Sequence, residues 1–83
     1  MALYLINLPF AKTGLDLAKR DSDATIVLIE DGVYADASGF DKVYAVKDDV
    51  EKRGVASRLG GAKIIDYGEL VDLIVANKVV NFA

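Results

Sequence analysis

Eighty-three residues, 53% of them hydrophobic, with a net charge of −3, make one small domain and exclude a strongly basic nucleic-acid binder. There is no cysteine and no histidine, which removes disulfides, thiolate metal sites and imidazole acid–base chemistry. A chain this short buries only about 60–65% of its unfolded surface, so with no covalent or metal staple, association is the support that remains.

Ala2 to Ile6 is apolar, rich in strand formers, and predicts a first strand. Pro9 keeps Leu8 to Lys12 out of a central strand. Thr13 as a cap, with Asp16 three residues on, predicts a helix start. In that helix Leu15 and Ala18 face the sheet, and Lys19 and Arg20 suit its negative end. Asp21-Ser22-Asp23 is a turn, and Ala24 to Ile29 is the second strand. The run from Ile26 to Ile29 is apolar at every position, as in strands buried on both faces of a parallel sheet. It stops at Glu30-Asp31-Gly32, and Val33 to Ala37 reads as a short helix or turn closed by Ser38-Gly39.

Lys42 to Val46 is the third strand. Asp48 with Glu51 repeats the capping pattern, and the helix it opens stops at Gly54 or kinks there and continues towards Leu59. Gly60-Gly61 is a turn, and Ala62 to Ile65 is the fourth strand. Asp66 with Glu69 opens a last helix running to about Asn77. Val79 to Phe82 then adds a short edge strand or packs as an ordered tail.

Strands alternating with helical segments indicate right-handed βαβ units and a parallel sheet. The predicted class is α/β: a compact three-layer sandwich with a mainly parallel four-stranded sheet, and room for a short fifth strand, in one domain over residues 1–83. Strand orders 2-1-3-4 and sequential both fit the periodicity. No apolar stretch approaches the roughly 20 residues that span a bilayer. No signal-peptide pattern opens the chain, so the expected location is the cytoplasm, with no membrane contact.

The last helix carries surplus apolar surface. Tyr67, Leu70, Val71 and Ile74 form one stripe, with Leu73 and Val75 on either side of it. The apolar arc widens to roughly 200°, where a helix packed on one sheet needs about 100°. Glu69, Asp72 and Ala76 leave only a narrow polar side. Tyr67, Leu70, Leu73, Ile74 and Val75 are therefore the predicted interface with a second subunit. The other reading is that a loop or the Phe82 tail covers the excess.

The strand ends offer Asn7, Glu30, Asp31, Lys47, Asp48, Asp66 and Tyr67, which an open α/β sheet lines up along its carboxyl edge. One reading is a ligand or divalent-cation edge of Asn7, Glu30, Asp31 and Asp66. The other is helix capping and turn formation, which accounts for Asp48, Glu51, Asp66 and Glu69 without further assumptions. No glycine-rich phosphate motif is present, and Gly60-Gly61 precedes a strand. Ser22, Ser38 and Ser57 have no visible base, and nothing singles out Lys12, Lys47 or Tyr67 for proton transfer. No catalytic, cofactor-binding or metal-binding residue is assigned.

Three segments together resemble the DsrH/TusB family of sulfur-relay proteins. They are Ile26 to Ala35, Val43 to Gly54 and Ile64 to Leu73, and Asn7-Leu8-Pro9-Phe10 is similar to the family's opening. The resemblance implies a DsrE/DsrF/DsrH-type α/β fold. It also implies association with related DsrE/DsrF-like subunits into heterohexamers, with a DsrC/TusE-like acceptor as a further partner; alone, the chain is expected to form a homodimer, and its net charge of −3 argues against direct contact with nucleic acid. Family complexes pass persulfide sulfur between cysteines, for 2-thiolation of the wobble uridine in tRNA or for sulfur oxidation. Some members carry a cysteine in the region matching Leu15 to Ala18. This chain has none, so the resemblance transfers no catalytic residue and implies a non-catalytic subunit. The alternative is a stand-alone homodimeric domain that binds a small ligand or divalent cation at the acidic strand ends.

Overall fold

The computed structural model describes residues 2–59 and 61–82. Five strands form one sheet: β1 (Ala2–Ile6), β2 (Thr25–Leu28), β3 (Val43–Val46), β4 (Lys63–Ile65) and β5 (Lys78–Phe82). All neighbours are parallel, and the order is β4-β3-β2-β1-β5. The first four strands thus follow the sequential order. The C-terminal segment is the edge strand, paired along β1 from Ala2↔Lys78 to Ile6↔Phe82.

Helix α1 (Ala11–Ala18) joins β1 to β2, α2 (Lys47–Arg53) follows β3, and α3 (Tyr67–Ala76) carries the chain from β4 to β5 at the opposite edge. A 3-10 turn at Glu30–Tyr34 replaces a helix between β2 and β3, and a second covers Ala56–Arg58. Helix α2 does not continue towards Leu59. Gly54, at φ 61°, takes the left-handed conformation that ends it. The expected Gly60-Gly61 turn lies partly outside the described residues, with Gly61 in a turn.

Two predicted caps are corrected. Thr13 lies inside α1, which starts at Ala11 with Phe10 at the cap and Gly14 N donating to Phe10 O at 3.0 Å. Asp48 lies in the first turn of α2, because β3 runs directly into that helix with Val46 extended at the cap. A capping residue followed three positions on by an acid signals a nearby helix but does not fix which residue begins it. Asp66 does cap α3, accepting from Glu69 N at 2.8 Å.

Side chains alternate across the strands and feed two cores. On one face Tyr4, Ile6, Ile26, Leu28 and Ala45 pack with Leu15 and Ala18 of α1, Val33 of the turn and Val50 of α2. On the other, Leu3, Val27, Val46 and Ile65 pack with Leu70 of α3. Each fully buried Leu, Ile or Val contributes roughly 1.5–3 kcal/mol. The Tyr4 hydroxyl donates to Asp21 Oδ2 at 3.3 Å, tying the turn after α1 to the core. Burial, and then the Asp21 charge, hold that phenol above its ordinary pKa.

Candidate functional site

The carboxyl ends of β1, β2 and β3 meet in one network. Asn7 follows β1; its Oδ1 accepts from Leu8 N at 2.8 Å and Gly32 N at 3.0 Å, while its Nδ2 donates to Glu30 Oε2 at 3.1 Å. One side chain thereby fastens the turn after β2 to the end of β1. Gly32 lies so close that a Cβ there would stand 2.0 Å from Ile6 O, a backbone atom that cannot swing away. The Asp31-Gly32 pair is therefore set by a close approach between two segments.

Glu30 sits at φ 50°, an uncommon conformation for a residue with a side chain. Its backbone N donates to Asp49 Oδ2 at 2.8 Å, which ties the turn to α2. Asp49 is buried. Arg53, one turn on, has Nη1 3.6 Å from Asp49 Oδ1 and donates from Nε to Asp31 Oδ1 at 2.8 Å. The hydrogen bond to Asp31 leads in holding the Arg53 proton more firmly than usual, followed by the charges of Asp31 and Asp49; partial desolvation opposes them.

Of the predicted edge, Asn7, Glu30 and Asp31 are brought together, whereas Asp66 is engaged as the cap of α3. Among the described residues, no group of three acidic side chains is placed to hold a metal ion. Tyr67, the first residue of α3, lies in the field of this edge. The charge of Asp49 contributes most to raising its phenol pKa, with burial, Asp48 and Glu30 adding to it. A cavity of about 700 Å³ opens elsewhere, between the 35–41 loop and Leu59, over Leu28, Val33 and Val43; none of the predicted edge residues lines it.

Sequence reasoning missed Asp49 and Arg53. Their i, i+4 spacing on a helix was a readable signal for an ion pair. Their links to Glu30 and Asp31 span 19 and 22 residues, which no local pattern reveals.

The second feature is α3. Leu70 is buried in the protomer's own core, and Leu73 and Ile74 are half-buried against the sheet. Tyr67, Val71 and Val75 stand outward, 52%, 56% and 81% exposed. Beside them on the same face of the sheet, Leu5 and Ile29 are only partly covered. A single helix thus leaves apolar surface open on both itself and the sheet. Of the predicted interface, Tyr67 and Val75 lie on this outer side. Val71, read as part of the stripe of Leu70 and Ile74, joins them there.

The architecture is that of a small doubly wound parallel α/β domain with a tied strand-end edge and an apolar outer helix. The chain belongs to the DsrH-like family, whose description is "DsrH like protein" and which matches residues 9–80. It is similar to the solution NMR structure of protein Tm0979 from Thermotoga maritima, with 31% identity and a TM-score of 0.65, covering 92% of this chain and 93% of that one. No curated protein matches. Among the described residues, no helix is long and apolar enough to cross a membrane.

Proposed function

We propose that this chain is a non-catalytic subunit of a cytoplasmic sulfur-relay assembly, of the kind that serves 2-thiolation of wobble uridine in tRNA or intracellular sulfur oxidation. The observation that carries the reading is membership of the DsrH-like family in a chain with no cysteine. Persulfide transfer runs by thiolate attack, so a cysteine-free subunit contributes surface and not sulfur. It associates with itself or with DsrE/DsrF-like subunits, through the outer side of α3, and a DsrC/TusE-like protein is the acceptor. The exposure of Tyr67, Val71 and Val75 supports an assembly role for that helix, because a contiguous apolar patch on a small domain marks an interaction surface.

The test is capture of the tagged chain from native lysate, followed by mass spectrometry. The expected result is recovery of small cysteine-bearing DsrE/DsrF-like or DsrC/TusE-like proteins. A Val71→Glu, Val75→Glu double variant should lose them while keeping its circular dichroism, since both residues lie outside the core. Recovery of the chain alone would remove the relay reading.

A further inference from the structure

The connection from β2 to β3 has no α-helix to lay over the strands it joins. The 3-10 turn at Glu30–Tyr34 covers part of them, and residues 35–41 finish the crossover as an irregular loop. Local bonds shape that loop. Asp36 Oδ1 accepts from Ser38 N at 2.9 Å, Phe40 N donates to Ala37 O at 3.4 Å, and Gly39 turns the chain at φ 91°. Phe40 reaches back as a partly buried side chain packed on the core. Beneath the loop lies the cavity of about 700 Å³, in the space that a crossover helix would fill.

Small-molecule sites are cavities of about 300–1,000 Å³ that combine apolar lining with a few polar groups. Here the buried Leu28 and Val33 and the partly buried Val43 and Leu59 supply the apolar lining. Tyr34 and Phe40 add aromatic rings. The charges are Asp36 and Asp41, both exposed, and among the described residues that line the cavity none is basic. Two smaller cavities, of about 380 and 220 Å³, open around the same Phe40 and differ in this respect. The larger of them sets Lys12 and Lys19 against Asp16 and Asp36; the smaller sets Lys19 and Lys42 against Asp21 and Asp41. Only the lining of the 700 Å³ cavity is left with an acidic balance. The backbone hydrogen bond from Ser38, then the bond to its side chain, hold the Asp36 carboxyl below its ordinary pKa, with a smaller contribution from Lys19; slight desolvation opposes them. Asp36 therefore carries its charge at neutral pH.

We propose that the cavity beneath the 35–41 loop binds a small organic cation, an ammonium group carried on an apolar body. The body lies against Leu28, Val33 and Val43, and the ammonium is drawn to Asp36 and Asp41. The rings of Tyr34 and Phe40 in the same lining add to the attraction for a cation. An anion of the same shape meets two carboxylates and is turned away. The site is separate from the strand-end network, none of whose residues lines it, and it does not rest on any role in sulfur transfer.

The test is NMR titration of the isotope-labelled chain with three probes of similar body: 2-phenylethylammonium, the neutral 2-phenylethanol and the anionic 3-phenylpropanoate. The ammonium should give saturable amide shifts at residues 35–41 and at Leu59, Gly61 and Ala62. It should bind about fivefold or more tightly than the alcohol, with the carboxylate weakest. An Asp36→Asn, Asp41→Asn double variant should bind ammonium and alcohol equally. Asparagine at position 36 keeps an acceptor for Ser38 N and loses only the charge, so the loop should hold its turn. Asp72→Asn, an equal charge change on the exposed side of α3, should leave the preference for ammonium intact. Absence of saturable shifts in the loop, shifts centred on another surface, an alcohol or carboxylate that binds as tightly as the ammonium, or a preference that survives in the double variant would each overturn the proposal.

Discussion

The two faces of the sheet are built to different degrees of completion. On the α1 and α2 face, two helices and a 3-10 turn lie over β1, β2 and β3 and bury Ile6, Ile26 and Ala45 completely, while Ala2, Val43, Val80 and Phe82 stay partly open. On the other face one helix crosses the sheet. There Leu3, Val27, Val46 and Ile65 are buried, but Leu5, Ile29, Tyr44 and Val79 remain partly open. The contrast comes from the connections. β4 lies at one edge and β5 at the other, so a single ten-residue helix serves the whole crossover, while the three earlier connections all fall on the opposite face. A small domain that places most of its connecting chain on one face has less of it left to cover the other.

The largest effect expected tests the closed face. Gly32→Ala would drive a Cβ into the carbonyl of Ile6, with no side chain available to yield. Separating the turn from β1 also breaks the bond from Gly32 N to Asn7 Oδ1. The loss should be about 3 kcal/mol or more, measured as the fall in urea midpoint, or the variant should fail to fold. A variant as stable as wild type would mean that the turn is not pinned to β1.

The next effect sets equal truncations on the two faces against each other. Leu28→Ala truncates a buried core side chain and should cost about 2–5 kcal/mol at any protein concentration. Leu73→Ala removes a half-buried side chain beside the open patch and should cost about 1–2 kcal/mol in the monomer, with a larger deficit as concentration rises and the assembly forms. Denaturation at two concentrations about a hundredfold apart separates the cases. Equal and concentration-independent losses would mean that the open face has no partner.

Much of this contrast was legible in the residues. The unbroken apolar run Ile26 to Ile29 announced a strand covered on both sides, and β2 is buried at all four of its positions. The wide apolar arc of the last helix announced more surface than one sheet could cover. Which part of that arc turns inward was not legible. It depends on where α3 rests on Val46 and Ile65, and those contacts select Leu70, Leu73 and Ile74 over Val71. The strand-end network was legible only in part. Asn7, Glu30 and Asp31 were named from their places after strands, but Asp49 lies within a helix, and its bond to Glu30 N is a product of the sheet bringing α2 beside the turn. Likewise, Thr13 and Asp48 carry good capping side chains, yet the chain enters both helices before reaching them.

The smallest effect concerns polar groups in the two cores. On the closed face the Tyr4 hydroxyl has Asp21 as its partner. On the open face Thr25 sits beside Leu3 in register, on the side shared with Val27, and is 2% exposed. Its Oγ1 has no hydrogen-bond partner. A buried hydroxyl without a partner forfeits its hydration and gains nothing in return. Valine keeps the β-branched shape that the strand favours and removes the oxygen. Thr25→Val should therefore raise stability, by about 1 kcal/mol, read as an upward shift in urea midpoint with unchanged slope. The gain should be the same in wild type and in the Val71→Glu, Val75→Glu background, because Thr25 lies in the core and not at the outer side of α3. A loss of stability would show that Oγ1 is satisfied in solution. A gain confined to the assembled state would place Thr25 in the path between the open face and its partner.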